Sequence, residues 1–168
     1  QHWSFSTAGE IIFGQHTVRQ LGQVVKQLGA QGVLVVTDQQ LVAAGVLDGV
    51  RESLETANVA LDIFDGGEPE PRMEAAHVCI QAARAARPDA IVGVGGGSNI
   101  DLAKTTATVL KWGGEPADYL GENKVPGPIL PVVAVSTTAG TGSAVSPVAD
   151  TERWAIGSEV SNPHPTGN

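Results

Sequence analysis

Hydrophobic positions near the start of the chain follow two different spacings. The first set recurs three or four residues apart, at Val18, Leu21, Val25 and Leu28. This spacing predicts a helix, and Gly29 stands where a left-handed C-terminal cap would end it. Residues 32–36 then form a continuous run of Gly, Val and Leu. Such a run is typical of a strand buried on both faces.

The same alternation continues along the chain. Further strands are predicted over residues 10–14, 59–64, 90–94 and 129–135, and further helices over 46–57, 73–86 and 99–110. Helices that alternate with hydrophobic strands predict an α/β fold, a parallel sheet with helices on both faces. Ligands of such sheets bind beyond the carboxyl ends of the strands. We therefore expect a site in the loops that follow residues 36, 64, 94 and 135.

Composition narrows the functional classes. The chain has 168 residues and a formal net charge of −8, so bulk charge does not favour nucleic acid or anionic lipid. The sequence has no apolar run long enough to span a membrane, and Cys79 is its only cysteine. We expect no N-terminal leader. These features predict a cytoplasmic protein without a disulfide. We expect one α/β domain over residues 1–149 and an irregular tail over 150–168.

A glycine-rich loop between a strand and a helix is the strongest functional feature. The segment 93–104 reads GVGGGSNIDLAK, with a buried strand before the glycines and a helix after them. Glycines let the backbone approach an anion, and a helix N-terminus offers unpaired N–H groups, so the segment suits phosphate binding. The hydroxyl of Ser98 adds a donor. The alternative is a tight turn in which Asp101 stabilises the first turn of the helix.

Two further strand ends carry polar groups. The segment 136–143 reads STTAGTGS, whose hydroxyls and glycines suit phosphate and ribose, although it could also be a polar surface loop. Asp38 follows the second strand, where a carboxylate can accept both hydroxyls of an adenosine ribose and repel a 2′-phosphate. The alternative for Asp38 is the N-cap of a helix that begins near Gln39, and both roles can coexist.

Three ordered motifs resemble one known family. The segment 95–104 resembles the GGGSxxDxAK signature of the iron-containing (group III) alcohol dehydrogenases. The segments 137–143 and 35–38 resemble the TTAGTGSE and VTD motifs of the same family. The chain departs from the family at Ala144, where a Glu is usual, and at Glu70, where many members have Asn.

The resemblance implies a Rossmann-like nucleotide-binding domain, of the type found at the N-terminus of dehydroquinate synthase. It implies that NAD(P) lies across one set of residues: Asp38, Gly96, Gly97, Ser98, Thr137, Thr138 and Thr141. The carboxylate of Asp38 favours NAD over NADP. Asp101 would support the glycine loop and approach the nicotinamide. The resemblance also implies a cytoplasmic homo-oligomer that acts on a small alcohol or aldehyde.

The family also has a helical metal-binding domain, which holds iron or zinc through one Asp and three His. We expect that domain to be absent from these 168 residues. The four histidines, His2, His16, His77 and His164, include no pair at i, i+4 spacing. The sequence therefore assigns no metal ligand and no catalytic residue, and it predicts a truncated chain.

Three functional hypotheses remain open at this point. The first is the cofactor-binding half of an NAD-dependent alcohol dehydrogenase. The second is a stand-alone nucleotide-binding module without turnover, which leaves open whether the chain is itself an enzyme. The third is a non-redox relative of dehydroquinate synthase, against which the TTAGTGS segment argues.

Overall fold

The computed structural model describes residues 17–69, 72–119 and 124–137 and the backbone of 144–148. The strands are β1 (Gly32–Val36), β2 (Ala60–Phe64), β3 (Ala90–Gly95), β4 (Val132–Ser136) and β5 (Ala144–Val148). The α-helices are α1 (Leu21–Gln27), α2 (Gln39–Ala43), α3 (Leu47–Thr56), α4 (Met73–Ala86) and α5 (Gly97–Trp112). Two short 3-10 helices span Thr17–Gln20 and Pro116–Tyr119.

The strands form one sheet in the order β2-β1-β3-β4-β5. The first four strands pair in parallel, and β5 pairs antiparallel with β4 at the edge. The parallel register brings Val36 of β1 beside Phe64 of β2 and beside Gly93 of β3. The carboxyl ends of these three strands therefore lie side by side, as the alternating pattern predicts.

Helices cover both faces of the sheet, and the two faces have separate cores. Strand β1 shows the division, because Val33 and Val35 face one cluster while Leu34 and Val36 face the other. The first cluster contains the apolar sides of α1 and α3, and the second contains those of α4 and α5. This confirms the predicted α/β fold with a parallel sheet between two helical layers.

Local turn chemistry ends the helices where the sequence places glycine or asparagine. Gly29 follows α1 with φ +78°, and its N–H donates to the carbonyl of Lys26. The N–H of Ala30 donates to the carbonyl of Val25, which completes a Schellman motif. Asn58 has φ +55° after α3 and ends that helix in the same way. The predicted left-handed cap at Gly29 is confirmed.

The structure also differs from the sequence-based expectation. The last parallel strand begins at Val132 rather than at residue 129, and the antiparallel strand β5 was not predicted. The predicted strand over 10–14 and the predicted tail over 150–168 lie outside the described residues. None of the helices in the described part of the chain combines the length and the apolar character that a bilayer span requires.

Candidate functional site

A cleft of about 440 Å³ opens beyond the carboxyl ends of β1, β2 and β3. Residues from the three loops that follow these strands line it, namely 38–40, 65–69, and Gly96, Ser98 and Asn99. Three of the four strand ends that the sequence indicated therefore contribute to one cavity. The loop after β4 is described only as far as Thr137.

Asp38 lies just beyond the carboxyl end of β1, and its carboxylate has two hydrogen-bond partners within the chain. Its Oδ1 accepts a hydrogen bond from the backbone N–H of Leu41 at 3.0 Å, so Asp38 is the N-cap of α2. Its Oδ2 accepts a hydrogen bond from Nδ2 of Asn99 at 2.8 Å. The predicted cap is confirmed, and the carboxylate also lines the cleft. Each oxygen can accept more than one hydrogen bond, so capping leaves capacity for a ligand.

Three consecutive glycines, Gly95–Gly97, join the end of β3 to the start of α5, and each is suited to its position for a different structural reason. Gly95 has φ +134°, and a Cβ there would overlap the Asn99 amide and lie 2.9 Å from Cδ1 of Leu41. Gly96 is the N-cap of α5 in an extended conformation. A Cβ at Gly97 would meet no other atom within 4 Å, so the space above the first residue of α5 is open. Gly97 thus leaves room for an anion, as the sequence analysis expects, although Gly96 and not Gly97 is among the residues that line the cleft.

Helix α5 begins at Gly97 and faces the cleft with its N-terminus. The first N–H groups of a helix have no partner inside it, and they carry a positive partial charge. Ser98 lies in this first turn, but its hydroxyl donates to the backbone carbonyl of Pro69. The Ser98 side chain therefore connects the β3 and β2 loops here.

The chain reverses direction after β2 and packs against the end of β1. The N–H of Thr37 donates to the carbonyl of Phe64 at 2.8 Å, and the N–H of Gly67 donates to the carbonyl of Thr37 at 2.9 Å. Asp38 and Gly66 form an isolated antiparallel bridge. This turn brings the 65–69 segment into the cleft wall, in contact with the first turn of α5 through Pro69 and Ser98.

Charge in the cleft wall is negative. Asp38, Asp65 and Glu68 line the cleft, and no Lys or Arg is among its lining residues in the described part of the chain. Arg72 pairs with Glu68, with Nη2 3.2 Å from Oε1, but both side chains are well exposed. A surface pair of this kind contributes little free energy. The wall therefore disfavours a negatively charged group next to Asp38.

Asp101 and Thr137 were predicted as cofactor residues, and neither lines the cleft. Asp101 lies within α5, with Oδ1 3.9 Å from Nζ of Lys104. Burial raises the pKa of Asp101 and lowers that of Lys104, and each charge partly offsets the shift of its partner. The N–H of Thr137 donates to the carbonyl of Gly95 at 3.2 Å, which extends the pairing of β3 with β4. The predicted residues Thr138 and Thr141 lie outside the described residues.

Metal ligands were not assigned from the sequence. Within the segments that the structure describes, no group of three His, Cys, Asp or Glu side chains is arranged to hold a metal ion. Nε2 of His77 instead lies 2.7 Å from Oε2 of Glu115 on the surface.

Cys79 is buried against Thr106, whose hydroxyl donates to the sulfur at 3.2 Å. Burial raises the pKa of the Cys79 thiol to about 11, which keeps it protonated near neutral pH.

Two parts of the site contain residues that the sequence analysis did not single out. The first is the 65–69 segment: a site is expected in the loop after residue 64, but no residue of that loop is assigned a role. The second is Asn99, which is 3% exposed and contacts Asp38 across 61 positions of sequence. The available signal was an amide directly after a strand–glycine–helix junction. Its partner could be identified only once the strand order was known.

Comparison with known proteins identifies the family. The sequence pattern of the iron-containing alcohol dehydrogenases matches residues 8–160. The chain is 37% identical over 138 residues to the NAD-dependent methanol dehydrogenase of Bacillus methanolicus, covering 82% of this chain and 36% of that protein. It is 38% identical over 136 residues to long-chain-alcohol dehydrogenase 1 of Geobacillus thermodenitrificans, covering 79% and 34% respectively.

Solved structures agree with this result. A 1,3-propanediol oxidoreductase superposes with a TM-score of 0.73 at 35% identity, over 77% of this chain and 34% of that one. The NADH-dependent butanol dehydrogenase A of Thermotoga maritima superposes with a TM-score of 0.74 at 27% identity, over 82% and 35%. The chain thus spans about a third of the length of these relatives. On the strength of the matched pattern and the shared fold, the chain belongs to the iron-containing alcohol dehydrogenase family.

Proposed function

We propose that this chain is the cofactor-binding part of an NAD-dependent alcohol dehydrogenase and that NAD binds in the cleft. The observation that carries the proposal is the joint position of Asp38 and the open N-terminus of α5 in one cavity. The match to the iron-containing alcohol dehydrogenases supports this activity over the dehydroquinate synthase alternative. Two relatives, the NAD-dependent methanol dehydrogenase of Bacillus methanolicus and the NADH-dependent butanol dehydrogenase A of Thermotoga maritima, support the choice of dinucleotide.

Different polar groups of the cleft would bind different parts of the dinucleotide. Asp38 would accept hydrogen bonds from the adenosine ribose, because its carboxylate retains acceptor capacity beyond the two bonds that it already makes. The N–H groups of the first turn of α5 would donate to the pyrophosphate. Gly97 would leave room for that group, since no atom of the chain occupies the position of its missing Cβ.

Selectivity for NAD over NADP follows from the charge of the wall. A 2′-phosphate beside Asp38 would meet a carboxylate at close range, and Asp65 and Glu68 line the same cleft. No cation of the described lining residues would compensate for this repulsion. The unphosphorylated ribose instead presents two hydroxyl donors to the same carboxylate.

The reaction itself requires groups beyond this cleft. When bound, the nicotinamide would accept hydride from an alcohol or donate it to an aldehyde. The described residues do not supply the ligand set of the divalent metal that the family resemblance implies, and we derive no step through that metal. We propose that the ligands, the substrate pocket and the helical domain belong to the rest of such an enzyme.

Domain limits, assembly and location are also part of the proposal. We assign residues 1–149 to the nucleotide-binding domain and 150–168 to a tail, and we retain Asp101, Thr137, Thr138 and Thr141 as cofactor contacts by resemblance to the family. The same resemblance supports a homo-oligomer. A single buried Cys79 and no possible intrachain disulfide support a reducing, cytoplasmic location.

A matched pair of glycine variants tests the proposal. Gly97→Val would fill the space above α5, whereas Gly32→Val lies at the opposite end of β1, where a Cβ would be 4.0 Å from its nearest neighbours. Both sites accept a Cβ without overlap in the free protein. NADH affinity is measured by calorimetry on the 168-residue chain and on both variants. We expect at least a tenfold loss for Gly97→Val, about 1.4 kcal/mol or more, and little change for Gly32→Val.

Circular dichroism and thermal melting confirm that both variants are folded before their affinities are compared. Equal NADH affinity in Gly97→Val and the unaltered chain would show that the dinucleotide does not bind over the N-terminus of α5. Equal loss in the two variants would show that the effect is unrelated to the cleft.

A further inference from the structure

Asn99 lies where the ends of three neighbouring strands meet. Its Nδ2 donates to Oδ2 of Asp38 after β1, at 2.8 Å, and to the carbonyl of Val94 in β3, at 3.0 Å. A side-chain amide has two N–H donors, and both are used here. The side chain of Asn99 therefore has no spare donor for a ligand. Its donors act on binding through the groups that accept from them, and of these Asp38 is the one that lines the cleft.

Two glycines make the space that this amide occupies. A Cβ at Gly67, in the loop after β2, would overlap Oδ1 of Asn99 and lie 2.6 Å from the carbonyl of Thr37. A Cβ at Gly95, at the end of β3, would overlap Nδ2 of Asn99. The side chain is 3% exposed within this enclosure. Its orientation is therefore determined by packing on two sides as well as by its hydrogen bonds.

The same contacts determine how Asp38 presents its carboxylate. One oxygen accepts from the backbone of Leu41 and the other accepts from Asn99, so the carboxylate is held at both oxygens. An ionised carboxylate has about four acceptor positions, so roughly two remain for a ligand. A carboxylate that is held before binding loses less conformational entropy when the ligand arrives.

We propose that Asn99 is a positioning residue that holds Asp38 in the orientation needed to accept the hydroxyls of an unphosphorylated ribose. This inference rests on the proposed function of the cleft. Asn99 acts on selectivity between NADH and NADPH, because the orientation of the Asp38 carboxylate determines both the acceptance of the 2′-hydroxyl and the repulsion of a 2′-phosphate.

Asn99→Leu removes both donors at similar volume, and Thr105→Val is its matched control. Thr105 is a buried polar residue of α5 outside the cleft, whose hydroxyl donates to the carbonyl of Asp101 within the helix. We expect Asn99→Leu to lower NADH affinity by up to about tenfold, because the freed Asp38 side chain must then be ordered when the ribose binds. NADPH affinity should fall less, so the ratio of the two affinities decreases. Thr105→Val should keep the ratio of the unaltered chain.

Asn99→Asp supplies a readout that a purely structural role would not produce. Two carboxylates at this distance share a proton, which raises the pKa of one of them. At low pH the protonated carboxyl can donate to Asp38 as the amide does, whereas at higher pH the two charges repel. We therefore expect NADH affinity of Asn99→Asp, relative to the unaltered chain, to fall between pH 5 and 8. Asp65 and Glu68, the other carboxylates of the cleft, are the same in both proteins, so the comparison removes their effect.

The outcomes separate this inference from the proposed function. If the unaltered chain binds no NADH, the proposed function fails. If it binds NADH in preference to NADPH, but both Asn99 variants keep its selectivity and its pH profile, the positioning role is wrong. A fall in melting temperature with unchanged selectivity also overturns it. Combining Asn99→Asp with Asp38→Ser supplies a further criterion, because the selectivity effect of the Asn99 change should disappear once the Asp38 carboxylate is removed.

Discussion

Asp38 combines a structural task and a proposed binding task in one carboxylate. As the N-cap of α2 it accepts from Leu41, and as a residue of the cleft it faces the proposed ribose site. Serine caps a helix about as well as aspartate but carries no charge. The two tasks can therefore be separated by substitution.

The variant Asp38→Ser should keep the fold and lose much of the cofactor selectivity. We expect NADH affinity to fall about tenfold or more, since a hydrogen bond to a charged group contributes ~1.5–3 kcal/mol. NADPH affinity should be unchanged or higher, because the repelling charge is gone. Fluorescence titration with both nucleotides measures the ratio. Asp62→Asn, an exposed change of the same charge on β2, is the control.

Cys79 gives a prediction that is independent of any ligand. Burial raises the pKa of its thiol from an ordinary 9.0 to about 11. Above pH 9 the unfolded chain loses this proton while the native chain keeps it, so the thiol's contribution to stability is complete below pH 9 and is lost as the pH rises toward 11. The free energy of unfolding should therefore decline more steeply with pH than in Cys79→Ala, by at most ~1.4 kcal/mol per pH unit.

Denaturant titrations at several pH values measure the two slopes. Groups other than Cys79 titrate in both proteins, so only the difference between the slopes is interpreted. Parallel slopes between pH 9 and 11 would mean that the thiol ionises equally readily in the native and unfolded chains.

At the scale of elements, helix α1 packs against α3 at unusually short range. Gly22 of α1 donates its N–H to Oγ of Ser53, which in turn donates to the carbonyl of Arg19. A Cβ at Gly22 would overlap the carbonyl of Ser53 and lie 2.6 Å from Cβ of Ala57. A glycine at this position is what allows the two helices to approach.

Gly22→Ala should therefore destabilise the fold, although alanine is the better helix former. Overpacking costs ~1–3 kcal/mol, and the gain in helix propensity returns ~1 kcal/mol or less. We expect a net loss of about 1–2 kcal/mol in urea unfolding. Gln23→Ala, on the exposed side of the same helix, should change stability by less than about 0.5 kcal/mol. A stabilised Gly22→Ala protein would show that the helix contact adjusts at little cost.

Elements with local signals were predictable from the sequence. The buried run of β1 and the cap at Gly29 depend only on neighbouring residues, and the structure confirms both. The contact of Asn99 with Asp38 depends on β1 lying beside β3, which no local pattern specifies. The antiparallel strand β5 was missed for the same reason, since its pairing with β4 is a tertiary choice.

The three consecutive glycines show most clearly what a sequence motif does not predict. The motif groups Gly95, Gly96 and Gly97 as one phosphate loop. In the structure, Gly95 makes room for the Asn99 amide and Gly96 is the N-cap of α5. At Gly97 the position of a Cβ is unoccupied. The identity of the residues was predictable, but their separate physical reasons required the packing of neighbouring loops.

At the scale of the whole molecule, binding in the cleft should stabilise the chain by mass action. The cleft is formed by three loops that are contiguous only in the folded state, so the unfolded chain has no site. At a hundredfold excess over the dissociation constant, NADH should raise the free energy of unfolding by ~2.7 kcal/mol. Urea unfolding with and without NADH measures this. A similar increase in Gly97→Val at the same NADH concentration would place the binding elsewhere.

The most direct test of the central claim is a paired titration of the unaltered, metal-stripped chain with NADH and then NADPH, followed by calorimetry. We expect saturable binding of one NADH per chain and clearly weaker binding of NADPH, because Asp38, Asp65 and Glu68 oppose the extra phosphate. Absence of NADH binding by the folded chain, or equal affinity for the two nucleotides, would contradict it.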